Sequence, residues 1–387
     1  MNGTLTLGIE TSCDETAAAV VRTDPAGPAR ACRVLSNVVA SQHELHAEYA
    51  GVVPEIASRA HVEAILPVVR SALRDAGVRL DQLDAIAVGH RPGLVGSLLV
   101  GVSAAKGLAW SLGLPLIGVD HVHAHLYAGL LVHDDDRAQD DSSQERPASP
   151  PRPTDAPDLF PALGLAVSGG HTSLYVMRSP IELHRVGATI DDALGEAFDK
   201  AATMLGLEQP GGPNVDRLAA SEGANDRAVK LPIARLSRES LDMSFSGLKT
   251  ALLYAVRGTP GRGTHGPQRY QRRTEDLTDT QRRDLAACFQ KAAVDAVLLK
   301  LERALDRFEQ LASEPCRSVL TGGGVTANSL LRARLTALCA ARNLPLVLPP
   351  MALCVDNAAM IAGLGHQLLK AGRVADLTLS PVPTTAC

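Results

Sequence analysis

The feature that most constrains the fold of this chain is an internal repeat. Three pairs of segments correspond in the same order along the sequence: 5–21 with 163–177, 83–109 with 316–340, and 114–130 with 344–364. In the first pair a strand, a short polar turn and a second strand follow one another, and in the other two a helix follows a strand. Three matches in order predict a duplicated α/β domain. Because ligands of open α/β sheets bind beyond the carboxyl ends of strands, we expect the strand-end loops of two lobes to face one central cleft.

The composition agrees with such a fold. The 387 residues suit two domains, and with 33 glycines but only 3% aromatic residues, parallel strands under small-residue helices fit better than an aromatic-packed β-sandwich. Lys and Arg number 38 against 42 Asp and Glu, a formal net charge of −4. The overall charge therefore does not attract a polyanion, and nucleic-acid binding would need a local patch or a second protein.

Cysteine usage and the apolar segments predict a cytoplasmic protein without a membrane partner. The seven cysteines are scattered and form no C-x-x-C, which argues against a disulfide framework or a four-cysteine zinc site. The first residues lack the basic and apolar regions of a signal peptide. The apolar stretch 93–119 contains Lys106, with Gly113 and Pro115 near its end, and predicts a buried helix followed by a strand.

Two segments differ from the rest of the chain. Residues 133–158 are rich in Pro, Ser and Asp and predict a disordered linker between a first lobe, 1–132, and a second lobe, 159–387. We leave open that the C-terminal helix region packs back on the first lobe. Residues 257–273 are rich in Gly and Arg and predict an exposed loop, whose arginines are either solvated or in contact with the phosphates of a nucleic acid.

Glycine-rich turns follow several of the predicted strands, at 168–172, 211–213 and 321–328. Glycine lets a ligand approach the backbone closely, and the amides at a following helix start favour an anion. One such turn alone fits a tight connection, but three at one cleft indicate a phosphate-bearing ligand. The sequence contains no Walker A loop, and no G-x-G-x-x-G opens a βαβ unit, so dinucleotide redox chemistry has no support.

His121 and His125 lie four residues apart, the spacing at which two imidazoles on one helix face share a metal. Asp356 lies on the corresponding element of the second half, so a His₂Asp site would bridge the halves of the chain. Such a set with open positions suits Fe(II) or Zn²⁺. The alternative is a solvated, histidine-rich helix start. Val122 stands where a metallopeptidase of the H-E-x-x-H type has its glutamate.

Several acidic residues have two open interpretations each. Asp14 and Glu15 follow Glu10 in the first turn, where they either bind a metal, a water or an amine or accept hydrogen bonds from local amides. In the helix predicted over 191–206, Asp191 and Asp192 are expected to complement the dipole of the first turn. Asp199 lies in the middle of that helix and needs a partner or a ligand.

Together these motifs resemble the universal threonylcarbamoyl-transferase family (TsaD, formerly Gcp) over nearly the whole chain. The strings that carry the resemblance are GIETSCDETA, GVVPEIASRAHVE, PGLVGSLLVG, DHVHAH, VSGGHTSLY, DDALGEAFDKAATMLGL, PGGP, FSGLKTA, GGGVTAN and CVDNAAMIA. The resemblance implies a duplicated actin/hexokinase/Hsp70-like fold (ASKHA, ribonuclease H-like). One departure is Arg91, which stands where the family usually has a glycine before LVGSLLVG.

The resemblance also implies an acyl transfer. The threonylcarbamoyl group would move from threonylcarbamoyl-AMP to the exocyclic amine of the adenosine beside the anticodon (position 37), in tRNAs that read codons starting with A, with release of AMP. In bacteria it further implies a TsaB-like paralogue and a TsaE-like ATPase as partners. The partner is expected to dock on helices of the first half, such as the one around 55–74.

Carried over motif by motif, the resemblance implies that His121, His125 and Asp356 bind one divalent metal, Fe(II) with zinc as the alternative. Asp14 and Glu15 match an acidic pair near the reacting group and are candidate catalytic residues. The implied substrate-binding residues are Ala166, Val167, Ser168, Gly169, Gly170, Asp199, Gly212, Asp216 and Asn328.

Three other functions remain to be weighed. An ATPase or kinase of the same fold would use carboxylates and Mg²⁺, and it has no need of the two imidazoles. A metallopeptidase, the family's older label, would need a general base beside the metal, which Val122 does not supply. A non-catalytic scaffold subunit would not need all three candidate metal ligands.

Overall fold

The computed structural model describes residues 3–23, 32–46, 49, 51–133, 159–259 and 270–383. The chain divides into two compact units. The first consists of Met1–Leu159, Arg178–Leu183 and Pro349–Cys387, and the second of Phe160–Met177 and His184–Leu348. The C-terminal segment thus belongs with the first unit. The predicted linker from residue 134 onward, and residues 260–269 of the predicted arginine-rich loop, lie outside the described residues.

Each unit contains one mixed β-sheet. The strands are β1 (Thr4–Glu10), β2 (Glu15–Thr23), β3 (Cys32–Ser41), β4 (Ala85–Arg91), β5 (Leu116–Asp120), β6 (Leu131–His133), β7 (Ala162–Val167), β8 (Thr172–Ser179), β9 (Glu182–Ala188), β10 (Ser318–Gly322) and β11 (Leu346–Val347). In the first sheet β2 pairs antiparallel with β1 and β3, whereas β4 is parallel to both β1 and β5.

Eleven α-helices are present in the described part of the chain. They are α1 (His43–His46), α2 (Pro54–Ala76), α3 (Val95–Leu112), α4 (His121–Ala128), α5 (Leu194–Leu205), α6 (Gly211–Ala219), α7 (Ser246–Arg257), α8 (Asp279–Asp306), α9 (Phe308–Ala312), α10 (Ser329–Ala341) and α11 (Ala358–Lys370). The stretch 93–119, predicted to be a buried helix followed by a strand, contains α3 and β5. The order of the two elements is confirmed, but only one face of α3 is buried.

The two sheets repeat one topology, which confirms the duplication predicted from the sequence. The order β5-β4-β1-β2-β3 in the first sheet recurs as β11-β10-β7-β8-β9 in the second, and β6 extends only the first. In both units the first pair of strands is antiparallel and the next strand of the sheet joins in parallel. Strand–turn–strand and strand–helix segments therefore recur in the same spatial order.

The first sheet is covered by helices on both faces. Leu7 and Ile9 of β1 lie in a core with residues of α2 and α3, such as Ile65 and Val102. Successive residues of a strand point to opposite faces. Gly8 accordingly faces α11, and a Cβ atom at Gly8 would lie 2.3 Å from the carbonyl oxygen of Ala358. Burial on both faces explains why the central residues of β2 and β4 are continuously apolar.

Helix α3 is long and apolar enough, by length and composition alone, to cross a membrane. Its residues Leu98, Val102 and Ala105 are at most 1% exposed. Val102 and Ala105 pack in the core of the first unit. The core helices of soluble proteins pass the same test of length and composition, so α3 gives no reason to place the chain in a membrane.

The core of the second unit lies between its sheet and helices α5, α7 and α8. Leu163 and Leu165 of β7 are fully buried against this layer. Phe198 of α5 and Phe289 of α8 meet edge to face, with ring centroids 5.3 Å apart. Helix α6, which begins at Gly211, packs against α5 and α8 of this layer.

Candidate metal centre and glycine-rich loops

Helix α4 carries the two histidines directly after β5. Its N-cap is Asp120, whose Oδ1 accepts hydrogen bonds from the backbone amides of Val122 at 3.0 Å and His123 at 3.1 Å. The guanidinium of Arg91 donates from Nε to the other oxygen of Asp120 at 3.2 Å. A strand that ends in a capping aspartate thus starts the helix at the residue that presents the first imidazole.

The structure brings together the three predicted metal ligands. His125 Nε2 lies 3.0 Å and His121 Nε2 3.5 Å from Oδ1 of Asp356. One ligand atom from each residue lies within 4.8 Å of the others. The two halves of the sequence both contribute, as predicted, but all three residues belong to the first unit because Pro349–Cys387 is part of it.

The charges of this cluster shift its pKa values strongly. Burial raises the pKa of the Asp356 carboxyl, but the adjacent His121 and His125 outweigh burial and hold that pKa well below its usual range. Burial lowers the pKa of His121, but the carboxylates of Asp356 and Glu10 raise it well above its ordinary value. Burial lowers the pKa of His125, and its hydrogen bond with Asp356 offsets this only in part.

The donor set fits a divalent transition metal. Two imidazole nitrogens and one carboxylate oxygen are ligands that Fe(II) and Zn²⁺ both accept, and three protein ligands leave positions open for substrate oxygen. The side chains of His121 and His125 are only 6% and 2% exposed, so little water competes for the site. Within the described residues, the side chains of His121, His125 and Asp356 are therefore placed to bind one metal ion.

The acidic turn before β2 lies in the electrostatic range of this cluster. Burial raises the pKa of Glu15 to about 9, with further contributions from the negative charges of Asp356 and Asp14. The charge of Asp356, a predicted metal ligand, thus acts on Glu15. Burial also raises the pKa of Cys13, which keeps this thiol protonated and unreactive.

His61 of α2 supports the same turn and was not assigned a role from the sequence. Its ring is fully buried, and Nε2–H donates to the carbonyl oxygen of Cys13 at 3.0 Å. The hydroxyl of Thr16 donates to Nδ1 at 2.7 Å. Burial lowers the pKa of His61, so a neutral ring holds the turn that carries Asp14 and Glu15.

In the second unit, the glycine-rich turn predicted at 168–172 joins β7 to β8. Ala166 and Val167 are buried strand residues, whereas Gly169 and Gly170 are exposed at the tip. The amide of Ser168 donates to the carbonyl oxygen of His171 at 2.7 Å and closes the turn. The backbone carbonyl of Ser168 accepts from the amide of Gly195, which ties the start of α5 to the loop.

Asp199, which was expected to need a partner, is hydrogen-bonded to the start of α6. Its Oδ1 accepts hydrogen bonds from the backbone amides of Gly211 at 3.1 Å and Gly212 at 3.3 Å, at the start of α6. Burial raises the pKa of Asp199, and these two amide hydrogen bonds oppose that shift. The structure therefore joins two of the predicted substrate-binding residues, Asp199 and Gly212.

Asp216 and Asn328 are joined through Gln290, a residue that the sequence analysis missed. Asn328 Nδ2 donates to Gln290 Oε1 at 3.1 Å, and Gln290 Nε2 donates to Asp216 Oδ1 at 3.0 Å. Asp216 also accepts from the hydroxyl of Ser329 at 2.6 Å and from its amide at 3.0 Å. Nothing in the sequence distinguishes Gln290 from other polar residues of a helix, because only the fold brings it between these loops.

Several loop glycines are not required by the packing of the described residues. A Cβ atom at Gly169, Gly170, Gly212 or Gly324 would meet nothing within 4 Å, and none of the four has a positive φ. By contrast, a Cβ at Gly323 would lie 2.3 Å from the carbonyl oxygen of Val167. The open glycines leave bare backbone at the loops, as expected where a ligand approaches closely.

The prediction for Asp191 and Asp192 was wrong. Helix α5 begins only at Leu194, so neither residue is in its first turn. Asp191 instead accepts hydrogen bonds from the amides of Phe245 at 2.8 Å and Ser246 at 3.3 Å, at the start of α7. Asp192 bridges two lysines, Lys200 at 2.8 Å and Lys249 at 2.5 Å. Tertiary partners rather than the dipole of their own helix determine their positions.

A solved structure with a similar fold supports the fold class. Full-length HypF, solved in a phosphate- and nucleotide-bound form, is similar over 96% of this chain and 47% of its own, with a TM-score of 0.52 and 12% identity. This likeness concerns the fold alone. The chain is a duplicated α/β protein of the actin/hexokinase/Hsp70-like class with a candidate His₂Asp metal site, as the resemblance implied.

Comparison with known sequences identifies the family. Residues 33–139 and 147–363 match the family model TsaD, tRNA N6-adenosine threonylcarbamoyltransferase. Relatives of that name from Symbiobacterium thermophilum and Sorangium cellulosum are each 47% identical, and each alignment covers 98% of this chain and 96% of the relative. The chain therefore belongs to the TsaD family. It is an acyltransferase that modifies adenosine in tRNA, and it is metal-dependent as that family implies.

Proposed function

We propose that the chain transfers the threonylcarbamoyl group from threonylcarbamoyl-AMP to the N6 amine of adenosine 37, and that His121, His125 and Asp356 hold the metal this requires. The observation that carries the proposal is the convergence of these three side chains, with one ligand atom each within 4.8 Å. We propose Fe(II) as the metal, with Zn²⁺ as the alternative for the same donor set.

The reaction is a substitution at a carbamoyl carbon. The lone pair of N6 attacks that carbon, the bond from the carbon to the phosphate oxygen breaks, and AMP leaves with the electron pair. The attacking amine loses one proton. A metal at this site supplies Lewis acidity toward an oxygen of the donor. The protein orients the weakly nucleophilic amine and accepts its proton.

Asp14 and Glu15 are the proposed acidic pair beside the reacting group. With a pKa of about 9 in the metal-free protein, Glu15 holds a proton at neutral pH and can donate a hydrogen bond. For Glu15 to accept the proton of the amine, a nearby positive charge must first lower that pKa. Asp14 is the other candidate acceptor in the same turn.

The glycine-rich loops are the proposed site for the adenylate. The tips Gly169 and Gly170 are exposed and leave open backbone for a phosphate or ribose to approach. The amide of Gly212 already donates to Asp199. We therefore assign Gly212 the role of leaving room for the ligand, whereas Asp216 and Asn328 stay ordered through Gln290.

A TsaB-like paralogue is proposed to dock on α2 and α3, and a TsaE-like ATPase to act with the pair. Val62 and Leu66 of α2 and Val95 and Leu99 of α3 are between 54% and 63% exposed. Each pair is spaced at i and i+4, which places its side chains on one helix face. Exposed apolar side chains grouped in this way are typical of protein interfaces.

The transfer assay uses purified threonylcarbamoyl-AMP, unmodified tRNA and the partner proteins, with the product nucleoside read by mass spectrometry. Wild type, His121→Ala and His184→Ala are compared. His184 is an exposed histidine of β9, so its replacement is a matched control for the loss of an imidazole. We expect threonylcarbamoyladenosine from wild type and His184→Ala only. Full activity of His121→Ala would remove the metal assignment. Hydrolysis of ATP without any modified nucleoside would favour the kinase-like alternative.

A further inference from the structure

Glu10 is a fully buried carboxylate at the end of β1, outside the proposed set of metal ligands. Its Oε1 accepts a hydrogen bond from the amide of Ser12 at 2.5 Å. No well-aligned hydrogen bond reaches its buried Oε2 from the described residues. A buried carboxylate is costly unless a partner compensates its charge, so the position of Oε2 calls for a functional explanation.

The nearest basic group to Oε2 is the metal-side histidine. His121 Nδ1 lies 3.1 Å from Glu10 Oε2, and it lies 3.2 Å from the hydroxyl of Ser12. The other ring nitrogen of His121, Nε2, faces Asp356. The imidazole thus lies between an inner carboxylate on the ligand side and an outer carboxylate on the far side.

The backbone of β4 leaves space for the outer carboxylate. A Cβ atom at Gly89 would lie 2.5 Å from Oε2 of Glu10 and 3.2 Å from its carboxyl carbon. The strand register also shifts between Gly89 and Arg91. A larger residue at Gly89 would therefore displace the carboxylate from its position beside His121 without changing its charge.

We infer that Glu10 is a positioning residue for the metal site: with its Oε2 3.1 Å from Nδ1 of His121, it accepts the Nδ1–H when the Nε2 lone pair is used to bind the metal, and so fixes the orientation of the ring. This inference rests on the proposed His₂Asp site. Histidine ligands commonly donate their second N–H to a carboxylate, which fixes the tautomer and ring orientation, and loss of such a partner weakens metal binding about 10- to 100-fold. Glu10 does not contact the substrate in this scheme.

The test measures metal affinity without any assay of activity. The full chain is stripped of metal and titrated with Co²⁺ in competition with a chromophoric chelator. We expect Glu10→Gln to bind Co²⁺ about 10- to 100-fold more weakly than wild type. Gly89→Ala should weaken binding in the same direction, because it displaces the carboxylate. Gly107→Ala, where a Cβ would meet nothing within 4 Å, is the matched glycine control and should bind like wild type.

Ser12→Ala distinguishes the two neighbours of Nδ1. If the hydroxyl were the true partner, Ser12→Ala would lose affinity and Glu10→Gln would not, and the inference would be overturned. Urea unfolding of the metal-free variants separates positioning from folding. A positioning role predicts that metal-free Glu10→Gln still unfolds in one cooperative transition, yet binds Co²⁺ poorly; loss of that transition would mean that the weaker binding reflects a folding defect.

The outcomes also separate this inference from the proposed metal site. If wild type binds Co²⁺ and Glu10→Gln binds it within twofold of wild type, only the role of Glu10 is refuted. If wild type itself binds no Co²⁺, or if His121→Ala binds it as tightly as wild type, the His₂Asp site fails and the role of Glu10 fails with it.

Discussion

His125 Nε2 lies 3.0 Å from Asp356 Oδ1, although 231 positions separate the two residues in the chain. The contact is made because α11, which begins two residues after Asp356, packs on the first sheet and against α4. A site that draws on both halves of the sequence is thus contained in one compact unit. The metal ligands and the acidic turn share this unit, and the glycine-rich loops belong to the other.

Removal of Asp356 should abolish stabilisation by metal. A ligand that binds only the folded state at 100 times its Kd raises the free energy of unfolding by about 2.7 kcal/mol. We expect Zn²⁺ to raise the Tm of metal-free wild type and of Val355→Ala, whose side chain is 51% exposed, but not of Asp356→Ala. Differential scanning fluorimetry with and without Zn²⁺ measures the shift. An equal shift in Asp356→Ala would show that Zn²⁺ binds elsewhere.

Glu15 should make metal-free protein less stable as the pH rises. Its folded-state pKa of about 9 exceeds the ordinary value of 4.5, so between these values the folded state keeps a proton that the unfolded state releases. The free energy of unfolding therefore falls with pH across this window, by at most about 1.4 kcal/mol per unit for one proton. Urea denaturation at pH 6 and pH 8 should show a smaller fall for Glu15→Gln. An unchanged pH dependence would mean that Glu15 is ionised in the folded state.

Asp120 should matter more to α4 than Arg91 does. Loss of the N-cap in Asp120→Ala is expected to cost about 1 kcal/mol of stability, because two amides lose their acceptor. Asp120→Asn keeps a capping oxygen and should cost less. Arg91→Gln removes an ion pair whose arginine is 45% exposed, which is worth less than about 1 kcal/mol. Urea denaturation of the three metal-free variants tests this order, and a larger loss for Arg91→Gln would reverse it.

Much of the fold could be predicted from the sequence because the same pattern of strands and helices occurs in both halves of the chain. Strand–turn–strand and strand–helix patterns are local, and they recur in the order that the two sheets adopt. The membership of α11 in the first unit, which the sequence left open, has no local signal, since the helix packs against strands more than 300 positions earlier in the chain. The helix start at Leu194 was missed, because Asp191 binds the start of α7 and Asp192 pairs with Lys200 and Lys249.

The site shows the same division between local and long-range information. The spacing of His121 and His125 can be read directly from the sequence, and the internal repeat indicated Asp356 as the third ligand. The supporting residues are not visible in this way: Glu10, His61 and Gln290 act through contacts with residues at least 38 positions away. Their polar side chains become informative only once the fold shows that they are buried among the predicted site residues.

The exposed faces of α2 and α3 should bind the TsaB-like paralogue. A few side chains at the centre of an interface each cost about 2 kcal/mol or more when they are removed, which is about 30-fold in Kd, and we expect Leu66 and Leu99 to be among them. Leu66→Glu and Leu99→Glu should therefore weaken the complex at least about 30-fold, measured by calorimetry with the purified paralogue. Both side chains are 54% exposed, so stability and Zn²⁺ binding should stay unchanged. Val374→Glu, at a half-exposed position after α11, is the control and should bind normally. Equal affinity of all three variants would exclude this face as the interface.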